Sequence, residues 1–252
     1  MDHVAPRAVV EDRDFLVLWK PDGMHAAPNR EGDKGTLLDW ILEHYPEIRT
    51  LPGRKPQEHG LVQRLDRDTR GLVVCARNEA AFRGLLELSR WGRFEKSYSA
   101  LCRAGRTPPP GLRSFLPQPS GAFPWVLRSR FRAYGPGGRL VVAIPAIGTE
   151  EPRVSVSSTV FGRKISKLYE TEIDRIEETT QGVHIRALIR RGFRHQIRVH
   201  LASIGFPIAG DPLYLLPADA PGTALHLAAI EVCFPHPRSG AITRIAVDDP
   251  WA

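Results

Sequence analysis

Gln63-Arg64-Leu65-Asp66-Arg67-Asp68-Thr69-Arg70-Gly71 runs directly into Leu72-Val73-Val74-Cys75-Ala76. The second stretch is apolar or small throughout and reads as a buried strand. The first carries two carboxylates, three arginines and a glycine. A charged loop feeding a rigid strand is a place for chemistry, because the strand fixes the loop side chains against a substrate. Arg64 and Arg67 flank Asp66 and favour its ionised form. The same pattern also fits a solvated turn whose charges pair with one another, and the local sequence leaves both open.

Working outward, Ala8–Val10 and Phe15–Trp19 read as two strands around a polar turn, and Lys20-Pro21-Asp22-Gly23-Met24 as a turn. Thr36 opens a helix with Asp39 in a capping box, and Pro46 ends it. Residues 49–58 read as an exposed loop. Asn78 caps a helix over 79–90 whose apolar face holds Phe82, Leu85 and Leu86. Lys96–Cys102 alternates as a half-buried strand. Prolines crowd 104–125, and regular strand pattern resumes at Arg139–Ile144.

Tyr169–Ile176 and Gly182–Ile189 alternate around a polar turn and predict a hairpin. His195–Ser203 reads as a helix ended by Gly205 and Pro207, with Ile197, Leu201 and Ile204 buried and His195, Arg198 and Ala202 on another face. Leu225–Phe234 is a last strand. Strands joined by hairpins with few helices predict an α+β fold with a mixed, largely antiparallel β-sheet core and flanking helices. The expected organisation is one domain over 1–252, with an irregular Pro-rich insertion around 104–160.

The totals constrain partners. The chain has 252 residues, 42% hydrophobic and 25% charged, with a net charge of +7. That balance suits a soluble globular protein with a polyanionic partner. Three cysteines, Cys75, Cys102 and Cys233, lie far apart without metal spacing and read as buried free thiols. No apolar stretch approaches the roughly 20 residues a membrane helix needs, and the N-terminus lacks a signal-peptide pattern. The expected location is the cytoplasm. Phosphate-loop, dinucleotide-binding and paired-histidine zinc motifs are absent.

The Asp66 loop, the strand bearing Tyr98 and the helix start bearing His195 and Arg198 could converge. A carboxylate nucleophile must be ionised and aimed, an arginine can do both, and an aromatic ring can stack on a base. Taken singly, Tyr98 also fits core packing, Arg198 a structural salt bridge, and His195 a helix-end hydrogen bond.

In order along the chain, these motifs resemble the RluA-type RNA pseudouridine synthases. Lys20–Met24 is similar to the family's N-K-P-x-G turn, and Gln63–Gly71 to H-R-L-D-x-x-T-S-G. Lys96-Ser97-Tyr98 is similar to K-x-Y, and Arg191–His200 to T-G-R-x-H-Q-I-R-x-H. Gly210–Tyr214 and Phe234–Pro237 also match.

The resemblance implies isomerisation of specific uridines to pseudouridine in rRNA or tRNA. Asp66 would attack the flipped uridine, Tyr98 would stack on the uracil and help in proton removal, and Arg198 would pair with Asp66. Arg64 would fill the space the base leaves. Lys20, Arg67, Arg70, Arg194 and His195 complete the expected RNA-binding set. The chain would act as a monomer, without a cofactor, and without the S4-type domain many relatives carry.

Gln63, Arg70, Arg191 and Phe193 depart from the family pattern, which leaves target choice open. The competing reading is a catalytically silent RNA-binding or chaperone protein on the same fold. Retention of Asp66 argues against it.

Overall fold

The computed structural model describes residues 5–30, 32–105, 116, 119, 121–145, 167–215 and 224–251. Most of the Pro-rich stretch, 106–115 together with 117, 118, 120 and 146–166, lies outside the described residues. The fold is mixed α+β, with a large, mostly antiparallel sheet and few helices. The chain divides into two compact units, 1–99 with 227–252, and 100–226.

The first unit is built on β1 (Arg7–Glu11), β2 (Phe15–Lys20), β3 (Arg70–Ala76), β4 (Glu95–Cys102, whose last three residues belong to the second unit), β9 (Leu227–Pro235) and β10 (Ile242–Ala246). Their order is β1-β2-β3-β9-β4, with β10 on β9. β1, β2 and β3 pair antiparallel, whereas β3 and β9 run parallel through Arg70↔Ala228 and Gly71↔Ala229.

β3 is covered on both faces, as its unbroken apolar run requires. α1 (Leu37–His44) begins at the Thr36–Asp39 capping box, and α2 (Glu79–Arg90) at Asn78, whose side-chain oxygen accepts from the Ala81 N–H at 2.9 Å. Phe82 and Leu85 of α2 join Phe15, Val74, Phe94, Val232 and Phe234 in the core. Asp14 ties the first hairpin to the turn after β9, accepting from Arg238 Nε at 2.8 Å and Nη2 at 2.5 Å.

The second unit holds β5 (Trp125–Tyr134), β6 (Leu140–Pro145), β7 (Tyr169–Thr179), β8 (Gly182–Ile189) and α3 (Gln196–Ser203). β8, β7, β5 and β6 are consecutive neighbours and antiparallel. Phe131 is stacked on Phe193 at 5.2 Å and meets Tyr169 edge-on at 5.8 Å.

The loop over 49–58 is largely exposed, as expected, and is bounded by 3-10 turns at Pro46–Thr50 and Pro56–Glu58, the second of which buries Glu58. Three expectations change. Strand β4 is buried from Lys96 to Cys102, so both of its faces are covered and it is not half-buried. All eight residues of α3 are buried, so its polar face is not a solvent face. The sequence pattern does not mark strands β5 and β10. Arginines alternate with apolar residues in β5, and only the apolar side, Leu127 and Phe131 among it, is buried.

Candidate active site

The loop before β3 is closed by an Asp66 C=O that accepts from the Thr69 N–H at 3.2 Å. Gly71 ends it with φ +123, and a Cβ there would lie 2.3 Å from the Ala229 carbonyl oxygen. The turn after β2 braces the loop from beneath. Lys20 is completely buried, and its ammonium donates to the carbonyls of Pro21 and Met24 at 2.7 Å and of Arg67 at 3.0 Å. Arg67 returns a hydrogen bond from Nε to the Gly23 carbonyl at 3.0 Å, and Arg70 lies 3.7 Å from Asp22.

Lys20 therefore corrects the sequence expectation. All three of its N–H groups are taken by backbone carbonyls, so it positions the loop and does not reach out to RNA. Burial pulls its pKa down to about 8, against the charges of Asp22, Asp68 and Asp66 that raise it.

Asp66 is half-buried, while Arg64 and Arg67 are exposed. Arg64 donates to Glu58 at 2.8 Å and to Asn29 at 3.1 Å, so its guanidinium is held beside the loop. Arg70 lies over the Trp251 ring at 5.7 Å. Tyr98 on β4 is 6% exposed. Burial first, and then the negative charge of Asp66, raises its phenol pKa, so it stays protonated at neutral pH. Asp66 and Tyr98 are thus within electrostatic reach inside one unit.

Arg198, Arg194 and His195 belong to the second unit. Arg198 is 3% exposed and grips Asp211 bidentately, with Nε and Nη2 each 2.8 Å from a carboxylate oxygen. Its guanidinium also lies 5.2 Å from the Tyr214 ring centroid. Asp211 in turn accepts the N–H groups of Leu213 and Tyr214 at 2.9 and 3.1 Å.

Asp211 sits within the Gly210–Tyr214 motif, and sequence alone does not mark it as a partner of Arg198. A carboxylate beside Gly and Pro in a turn was the available signal. His195 holds a left-handed backbone at φ +59, and its Nδ1 lies 2.8 Å from the Tyr214 hydroxyl. Burial, and then the charges of Arg198 and Arg194, depress its pKa to about 3. It is a neutral imidazole at physiological pH. Arg194 donates to the Gly138 and Leu140 carbonyls. Phe193, where the family pattern has arginine, packs against Phe131 and Tyr169.

Among the described residues one group could mimic a metal site: Asp12, Asp14 and His236. Both Asp14 oxygens are already held by Arg238, so that carboxylate is an ion-pair partner. The three cysteines are free and buried.

The sequence profile of the RNA pseudouridylate synthase family matches residues 14–203. This chain belongs to that family. An uncharacterized RNA pseudouridine synthase of Chloroflexus aurantiacus is 35% identical over 88% of the chain and 58% of its own length. The ribosomal large subunit pseudouridine synthase D of Yersinia pestis is 29% identical over 82% of the chain and 51% of its own length. The chain thus spans about half to three-fifths of these relatives.

The solved structure of human RNA Pseudouridylate Synthase Domain Containing 1 overlays with a TM-score of 0.65 at 19% identity, covering 98% of this chain and 85% of that one. That likeness supports the fold. No helix among the described residues is long and apolar enough to cross a membrane.

Proposed function

We propose that the protein is an RNA pseudouridine synthase that uses Asp66 as its nucleophile on a uridine swung out of the strand. The carrying observation is Asp66, on a loop braced by Lys20, with its charge reaching Tyr98 across a buried strand face. The relatives named for ribosomal large-subunit RNA make that RNA the first substrate to test.

The chemistry is an isomerisation, so no atom is gained or lost. The bond from N1 of uracil to the ribose C1′ breaks, a bond from C5 to C1′ forms, the C5 proton leaves and N1 takes one up. Asp66 supplies the attacking carboxylate. Tyr98 offers its ring for stacking and its hydroxyl as a donor. Its raised pKa argues against a resting phenolate base. Extrusion of the base needs a group to occupy the gap, and Arg64, exposed beside the loop, is suited to it. Arg67, Arg70 and Arg194 supply positive charge for the backbone.

The test pairs wild type with Asp66→Asn on an in vitro transcript of large-subunit ribosomal RNA, with pseudouridine mapped by sequencing. Wild type forms pseudouridine. The variant binds within about threefold of wild type, since a neutral isostere removes only the nucleophile, and forms none. Turnover by the variant removes Asp66 from the mechanism. Binding without turnover by wild type establishes the silent RNA-binding alternative.

A further inference from the structure

Lys96 is a buried cation without a counter-charge. It lies two residues before Tyr98 on β4, so the two side chains share one face of the strand. Lys96 is 6% exposed. Its ammonium sits 5.8 Å from the Phe94 ring centroid, and that ring is stacked on Phe234 at 4.8 Å. Among the described residues it makes no ion pair with a carboxylate.

The charge that reaches it is the wrong one. After burial, the positive field of Arg54 lowers its pKa, to about 8. Arg54 lies on the exposed loop between the two 3-10 turns of the first unit and likewise has no ion pair among the described residues. Burial lowers its pKa, and the opposing charge that acts on it is that of Glu58, whose carboxylate is hydrogen-bonded to Arg64.

Two cations held near each other, one of them nine-tenths buried, are unfavourable unless an anion completes them. An aromatic face under the ammonium offsets part of that penalty, as a cation–π contact does. It does not replace a counter-ion.

We propose that Lys96 and Arg54 form a binding site for one backbone phosphate of the RNA substrate, adjoining the position where the target base meets Tyr98. This rests on the RNA-modifying reading above and adds a site to it. The spacing is suitable: Lys96 and Tyr98 stand two residue steps apart on the strand, about 7 Å, so the phosphate held would belong to the target nucleotide or its immediate neighbour. Lys96 would act in ground-state binding and positioning and would not touch the reacting atoms. Arg54, on the surface, would meet the phosphate first, and Lys96 would complete its neutralisation from within.

The experiment measures binding of the large-subunit ribosomal RNA transcript against salt concentration for wild type, Lys96→Met, Lys96→Arg and Arg54→Gln, with melting temperature and turnover in parallel. Lys96→Met should weaken binding on the order of tenfold, the loss of one charge-assisted hydrogen bond. It should also flatten the slope of log affinity against log salt by about 0.7, one phosphate on a single strand. KM should rise while kcat at saturating RNA changes little. Lys96→Arg should restore the slope. Without RNA, Lys96→Met should melt no lower than wild type, because an uncompensated buried charge has been removed.

Arg54→Gln, on an exposed loop, should shift affinity and slope the same way and carries the test if Lys96→Met does not fold. Wild-type slopes in Lys96→Met and Arg54→Gln, with turnover intact, overturn this site and leave the isomerase reading standing. A melting temperature several degrees lower in Lys96→Met with unchanged RNA affinity makes Lys96 a packing residue and also overturns it. Failure of wild type to bind the transcript at all overturns the RNA reading itself.

Discussion

A single hydroxyl separates two roles for Tyr98. Its ring is buried on β4, and its phenol is kept protonated by burial and by the charge of Asp66. A protonated phenol can orient a uracil and donate a hydrogen bond, and its ring can stack whether or not the hydroxyl is present. Tyr98→Phe should therefore fold with a melting temperature close to wild type, bind RNA within a few-fold, and lose about 10²-fold or more in kcat, in the range ascribed to positioned proton donors and acceptors. Single-turnover kinetics on the ribosomal transcript measure this directly. An unchanged kcat would reduce Tyr98 to a stacking surface.

Elements bring these residues to their places, and the tightest joint is the crossing of β3 and β9. Gly71 is required there twice over. Its φ of +123 is closed to most side chains, and an added Cβ would stand 2.3 Å from the oxygen and 2.4 Å from the nitrogen of Ala229. Gly71→Ala must push two paired strands apart at the root of the Asp66 loop. The expected loss is at least about 3 kcal/mol, strain and overpacking together, seen as a lowered urea midpoint. A variant within 0.5 kcal/mol of wild type, the scatter of ordinary surface changes, would mean the joint yields freely.

Much of this element-level structure was legible. The Thr36 and Asn78 caps, the run Leu72–Ala76 and the hairpin around 180 are local signals, and local signals survive in sequence. What escaped depends on distant partners. The parallel pairing of β3 with β9 joins residues far apart in the chain. Arg198 grips Asp211, which sits beside Pro212 in a turn that sequence alone does not link to it. Lys20 looks in sequence like a free cation beside a turn, and only the fold shows its ammonium enclosed by three carbonyls.

Across the whole molecule, buried titratable groups divide between the two units and give each its own response to pH. In the second unit His195 and His200 both have pKa values near 3, pushed down chiefly by burial. His200 lies between Ser129 Oγ at 2.6 Å and Thr171 Oγ1 at 2.8 Å. An unfolded histidine takes up a proton near pH 6.5. Between 6.5 and about 3 the unfolded state therefore binds more protons, and stability falls as pH falls through that window.

In the first unit the corresponding acid-sensitive group is Asp14, held near 2 chiefly by its hydrogen bond from Arg238, so its contribution is present above the ordinary carboxylate range and lost only below it. Lys20 and Lys96, both near 8, act at the other end. The unfolded lysines hold protons up to roughly 10.4, so these two groups raise the stability of this unit as pH climbs from about 8 to about 10.4, while the buried thiol of Cys75, raised to about 12, opposes them from the ordinary thiol range of about 8.5 upward. Acidification from pH 7 to 4.5 should thus loosen the second unit first. Hydrogen exchange with peptide-level resolution should show faster exchange in α3, β5 and β8 while β2 and β3 stay protected, and His200→Gln should shrink the difference. Equal loss of protection in both sets of strands across that range would show that these two imidazoles do not govern the acid response.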